Sequence, residues 1–214
     1  FVFSGRDEML DALKLCDIEK VREIFARNFE EIIKKTYLSV DQIQQAYFPV
    51  LVEIINMASI TGESVEKLYD SNPFKKFMQL TTLEEINQWM VDLCEKVSEL
   101  IKELRYQQNI KAVEKVFGYI YNNYNRDISL NSAAEYVFLS PAYLSRLFRK
   151  ETGQSFIEYV MKVRVEKAKT LLRNTDKKTY EIAREVGYND IRYFAKMFKQ
   201  IEGITPAQYR EKIC

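Results

Sequence analysis

Apolar residues recur along this chain at helical spacing, and almost nowhere at the spacing of two that marks a strand. Met9, Leu10, Leu13 and Leu15 form one stripe within residues 6–35, and Val21, Ile24, Phe25, Phe29, Ile32 and Ile33 form the next. Cys16-Asp17 is the predicted break between them, with Asp17 as N-cap. Ser39 and Gln42 have the spacing of a capping box that starts a helix running to Ile60, where Thr61-Gly62 ends it. Pro49 lies inside that pattern and predicts a kink or a later start. Residues 64–69 read as one short helix and Ser71-Asn72-Pro73 as a turn. Thr82 and Glu85 form another box before Ile86, Met90, Leu93, Val97, Leu100 and Leu104, whose steps of 4, 3, 4, 3, 4 are a heptad rhythm. That face has two readings, a core-facing side of a bundle or a dimer seam. Arg105 to Asn109 loses the rhythm and is the expected joint between two regions, 1–108 and 109–214. The second opens with a helix over Lys111 to Tyr124 whose core face is Val113, Val116, Phe117, Ile120 and Tyr121, ended by Asn125-Arg-Asp127.

Beyond that helix the pattern is written twice. Tyr143, Phe148, Gly153 and Tyr159 return as Tyr193, Phe198, Gly203 and Tyr209, each 50 positions on. Arg146/Lys196, Leu147/Met197, Arg149/Lys199 and Ser155/Thr205 change conservatively at the same offset. Ala133/Ala183 and Glu135/Glu185 extend that register upstream, so no insertion is expected. Repetition at a fixed offset marks one supersecondary unit used twice. Each copy reads as a short helix (131–137; 180–186), a tight turn holding Leu139-Ser140 or Gly187-Tyr188, and a second helix ended by glycine. Tyr143, Leu144, Leu147 and Phe148, and then Tyr193, Phe194, Met197 and Phe198, are the apolar faces of those second helices. Two short helices joined by a turn of this length make a helix-turn-helix.

The opposite faces are small and basic: Ala142, Ser145, Arg146 and Arg149 in one, Arg192, Ala195, Lys196 and Lys199 in the other. Small side chains let a helix backbone sit deep in a major groove, where Arg and Lys reach phosphates and guanine edges. Any surface helix carries a charged outer face, so a single one is equally well read as solvated. Two copies that both keep basic faces favour DNA.

These residues carry a family resemblance. Leu130-x-x-Ala133-Ala134, Leu139-Ser-Pro-x-Tyr-Leu-Ser-Arg-Leu-Phe-Arg-Lys-Glu-Thr-Gly153, and Ile182-Ala183 through Gly203-x-Thr-Pro-x-x-Tyr-Arg210 resemble the double helix-turn-helix domain of the AraC/XylS transcription regulators. The resemblance spans roughly the last hundred residues and implies seven helices, a long central one over about 155–172 joining the modules. It implies base-reading positions at Ala142, Ser145 and Arg146, and at Ile191, Arg192, Ala195 and Lys196. Ala142 and Ile191 donate no side-chain hydrogen bond and would pack on a thymine methyl. Double-stranded DNA and RNA polymerase are the implied partners, and regulation of transcription, by activation or repression, the implied outcome.

Charge sharpens the division. Residues 1–109 hold 13 basic and 19 acidic side chains, and residues 110–214 hold 19 and 12. A basic half beside an acidic one is the distribution expected when one half meets a polyanion. The acidic half is expected to relay a signal or to join two copies into a homodimer. It lacks strand periodicity and so departs from the β-barrel effector domain of the sugar-binding members. A helical segment before the paired modules looks more like the YesN-type response regulators or the membrane-anchored sensor members. The chain opens on Phe1, which predicts a piece of a longer protein with a receiver or sensor domain upstream.

Other chemistry is sparse. Cys16, Cys94 and Cys214 are odd in number and widely spaced, which argues against a disulfide framework and for a reducing, cytoplasmic setting, either free or as the cytoplasmic part of an anchored protein. There is no histidine, which removes the commonest zinc ligand and general base. Glu30-Glu31 and Glu84-Glu85 are adjacent in sequence and do not share a helix face. Neither catalysis, a metal nor a cofactor is expected. The competing readings are an enzyme and a helical interaction module whose DNA binding is secondary. The expectation is an all-α protein: a helical N-terminal bundle, then a seven-helix DNA-binding domain.

Overall fold

The computed structural model describes residues 2–35, 38–59 and 72–213. Among these the chain is all-α, with eleven helices and no strand. They fall into two compact units, residues 1–107 and 108–214.

The first unit holds α1 (Arg6–Lys14), α2 (Ile18–Ile33), α3 (Val40–Ser59), α4 (Pro73–Met78) and the start of α5 (Leu83–Asn123). Side chains near the helix starts satisfy backbone donors that helices leave open. The Asp17 carboxylate accepts from the Lys20 amide at 3.1 Å. Ser39 and Gln42 bond reciprocally at 3.3 and 3.0 Å, as do Thr82 and Glu85 at 3.1 and 3.3 Å. Asn72 accepts from the amides of Phe74 and Lys75. The expected turn at Asn72-Pro73 is therefore the start of α4, with proline at the first position, where its missing donor costs nothing. The short helix expected over 64–69 lies outside the described residues.

The core of this unit is aromatic at its centre: Phe3 packs edge-on against Phe25 and Tyr47, centroids 5.2 and 5.1 Å apart. Buried Asn28 exchanges two hydrogen bonds with the backbone of Ser4 and donates a third to the Ile24 carbonyl, so its amide is satisfied. α3 continues through Pro49. A proline inside a helix costs about 3 kcal/mol, and the full burial of Tyr47, Leu51 and Ile54 around it offsets that.

Ile86, Met90, Leu93 and Val97 are fully buried in this core, and Leu100 packs at its edge. The first five positions of the heptad face are thus packed by the unit's own helices while Leu104 stays half-exposed, and the dimer-seam reading of the face is corrected. A stripe that short buries more area in a bundle than in a two-helix seam. Leu15 and Ile33 are also corrected: both are exposed, because each lies at a helix end where the buried arc has already turned away.

The second unit comprises the end of α5, then α6 (Leu130–Tyr136), α7 (Pro141–Thr152), α8 (Phe156–Asn174), α9 (Thr179–Glu185), α10 (Ile191–Glu202) and α11 (Pro206–Ile213). α5 runs unbroken through residues 105–109, where the joint is expected. Tyr121 is exposed, not core; one turn on, Tyr124 takes the inward place and packs against the cores of both modules.

The two modules correspond, but not without an insertion. Leu139 N donates to the Ala134 carbonyl at 2.9 Å, and Tyr188 N to the Ala183 carbonyl at 2.8 Å. The left-handed residue of each turn is Phe138 (φ 58°) or Gly187 (φ 93°). These pairs are 49 apart, whereas the N-caps Ser140 and Asp190 are 50 apart. The second turn is therefore one residue longer. Ala134 is equivalent to Ala183, and Ala133 to Ile182, so the Ala133/Ala183 and Glu135/Glu185 register is corrected.

Candidate nucleic-acid interface

α7 and α10 are built alike. Ser140 accepts from the Tyr143 amide at 3.2 Å, and Asp190 accepts from the amides of Arg192 and Tyr193 at 2.7 and 3.1 Å. Both helices end at a left-handed glycine, Gly153 (φ 72°) and Gly203 (φ 80°), a conformation other residues adopt only at a cost. Leu144, Leu147 and Phe148 bury one face of α7, and Phe194, Met197 and Phe198 bury the same face of α10. Phe148 meets Tyr159 edge-on at 5.5 Å, and Phe198 meets Tyr209 at 5.6 Å. Beyond each glycine the next helix begins at Ser155 or Thr205, paired reciprocally with Glu158 or Gln208. The two helices are thereby held by the same contacts at equivalent places.

Tyr143 and Tyr193 depart from the expected apolar face. Both stand at its margin and are exposed, and the Tyr143 hydroxyl donates to the Asn109 side chain at 2.9 Å.

With one face fixed, the other is free. Ala142, Ser145, Arg146 and Arg149 are exposed on α7, and Ile191, Arg192, Lys196 and Lys199 on α10. Ala195 is half-buried, so it offers a smaller surface than its counterpart Ser145. Among the described residues, Arg146, Arg149, Arg192, Lys196 and Lys199 make no ion pair. Elsewhere in this unit Lys169 bonds Glu166 and Glu202, and Lys177 bonds Glu185. The outer faces of α7 and α10 therefore carry positive charge held in no ion pair among the described residues, and such charge is what a phosphate backbone requires. Lys150, exposed beside Arg149 in the last turn of α7, adds to it; the sequence signal for it was the Arg149-Lys150 pair.

The cysteines of the first unit take no part in such a surface. Cys94 is fully buried, and burial pushes its thiol far above the ordinary range. Cys16 is half-buried with its sulfur 3.7 Å from the Ser98 carbonyl.

The helix-turn-helix domain family matches residues 133–212. A helix-turn-helix transcriptional regulator from the cgkA 5' region of Pseudoalteromonas carrageenovora is 36% identical over 121 residues, 55% of this chain and 72% of that one. This chain belongs to the AraC/XylS family of helix-turn-helix transcription regulators. The regulator YtdP of Bacillus subtilis is 27% identical over 207 residues, 96% of this chain and 27% of YtdP. The regulatory protein YesN of the same organism is 42% identical over 91 residues, 41% of this chain and 25% of YesN. The chain thus spans about a quarter of the length of these last two relatives. The likeness to YtdP extends over the first unit, whereas 91 residues of likeness to YesN amount to less than half of the chain. No helix among the described residues is long and apolar enough to cross a membrane.

Proposed function

We propose that this chain binds double-stranded DNA sequence-specifically, with α7 and α10 entering successive major-groove segments on one side of the duplex. The observation that carries this is the pair of equivalently held helices whose outer faces are basic and unpaired. Arg146 and Arg192, with Ser145 and Lys196, are the groups that reach base edges; Ala142, Ile191 and Ala195 supply close approach and apolar contact. Arg149 and Lys199, one turn further on, anchor phosphates. The first unit relays a signal from a receiver or sensor domain upstream, and RNA polymerase is the partner through which binding becomes activation. The protein works in the cytoplasm, free or as the cytoplasmic part of an anchored protein. Any pairing into a homodimer uses a surface other than the buried face of α5. The function is regulatory, and the thiol of Cys94 is buried in the core of the first unit, away from any surface that meets a partner.

A gel-shift titration on duplex DNA at several salt concentrations tests the proposal. Affinity should fall steeply with salt, and one enriched sequence should outcompete random duplex. Binding that is weak, salt-independent and blind to sequence would support a helical interaction module instead.

A further inference from the structure

One side chain of α8 reaches outside the helix that joins the two modules. Arg164 Nε donates to the Tyr124 carbonyl at 2.7 Å, and its Nη2 donates to the Arg126 carbonyl at 2.8 Å. Both acceptors lie just past the end of α5, whose last turns pack in the core of the first module. The same guanidinium stands over the Tyr188 ring, 5.2 Å from its centroid, and Tyr188 is the buried residue of the second module's turn. Beside it, Gly187 presses on the same stretch of backbone: a Cβ there would lie 2.9 Å from the Tyr124 carbonyl oxygen. The end of α5, the middle of α8 and the second turn therefore meet at Arg164. A planar fork of five donors can bond two carbonyls and still stack on a ring, whereas a lysine offers one compact charge.

We infer that Arg164 is a specificity-determining positioning residue: by clamping the end of α5 to the turn before α10, it sets the separation and rotational phase at which the two recognition helices meet DNA. The protein then reads the spacing between its two half-elements as well as their sequences. This inference rests on the DNA-binding reading above. Inserting one base pair between half-elements moves the second by about 3.4 Å and turns it by about 35°. A clamped pair of helices loses one set of contacts on such a duplex, and a jointed pair does not.

The test uses the whole chain. Sites are enriched from random duplexes with the unmodified protein. Binding is then measured on the enriched site, on the same site with one base pair inserted, and on duplexes keeping a single half-element. The unmodified protein should lose about tenfold or more on the inserted duplex. Arg164→Ala should bind the enriched site about tenfold more weakly, yet differ by less than about twofold between native and inserted spacing. Its affinity for single half-elements should stay within about twofold of the unmodified protein. Arg164→Lys, which keeps the charge and the stem, should fall between them and carries the test if the alanine variant loses its helical signal. Unaltered spacing discrimination in the variants would overturn the inference. So would a loss on single half-elements equal to that on the full site, because that marks general destabilisation. An enriched site with no spacing dependence in the unmodified protein would overturn the inference alone. Failure to enrich any site would overturn the DNA-binding reading and the inference with it.

Discussion

The two turns make opposite demands of the same position, and exchanging their residues should move stability in opposite directions. Phe138 adopts φ 58° and Gly187 φ 93°. A residue with a Cβ in the left-handed region costs about 1–2 kcal/mol. The Phe138 side chain is 96% exposed, so its removal forfeits little burial. Phe138→Gly relieves that strain and loses about 0.4–1 kcal/mol through the freer unfolded chain. The net gain should be about 0.5–1 kcal/mol. Gly187→Ala reverses both terms and adds a clash, since its Cβ would fall 2.9 Å from the Tyr124 oxygen and 3.0 Å from Asn125 backbone atoms. Overpacking of this kind costs about 1–3 kcal/mol, so the total loss should be about 2–4 kcal/mol. Urea titration followed by far-UV ellipticity measures both. With a slope of about 2 kcal/mol per molar, the midpoint should rise by about 0.3–0.5 M in the first variant and fall by about 1–2 M in the second. Trp89, the single tryptophan, lies in the first unit, so its fluorescence is an internal reference that should not move. A lowered midpoint for Phe138→Gly would show that the exposed ring is held by packing and refute the strain argument. An unchanged midpoint for Gly187→Ala would refute the close approach.

Arg146→Ala and Arg192→Ala should each cost about 1–3 kcal/mol on the enriched site; competition against random duplex checks this, and equal weakening on both would reduce them to phosphate contacts. Arg149→Ala and Lys199→Ala should weaken binding to all duplexes and flatten the dependence of log K on log salt by about one counterion each, and an unchanged slope would reject the anchoring role. Because Ile86, Met90, Leu93 and Val97 are buried within the first unit, the chain should sediment as a monomer at micromolar concentration; a tight, salt-insensitive dimer would show that another face joins two copies.

What the sequence determined by itself is local. Helical periodicity located most of the described helices, and the side chains of Asp17, Ser39 and Thr82 marked three of their starts, because a cap bonds an amide only two or three residues away. The double module was legible because its recurring residues, Phe148/Phe198 and Gly153/Gly203 among them, answer to geometry within each copy. The basic faces of α7 and α10 were legible for a related reason: one turn of helix sets which residues share a side. The tertiary structure decided the rest. An apolar stripe states that it must be covered and not by what, so only packing assigned the heptad face of α5 to its own bundle. The extra residue in the second turn was hidden by a chance match of Ala133 with Ala183, and appears only where Phe138 and Gly187 share a backbone conformation. Nor does helical periodicity mark Arg164, whose partners lie 38 and 40 residues earlier and reach it only when α8 is folded against the end of α5.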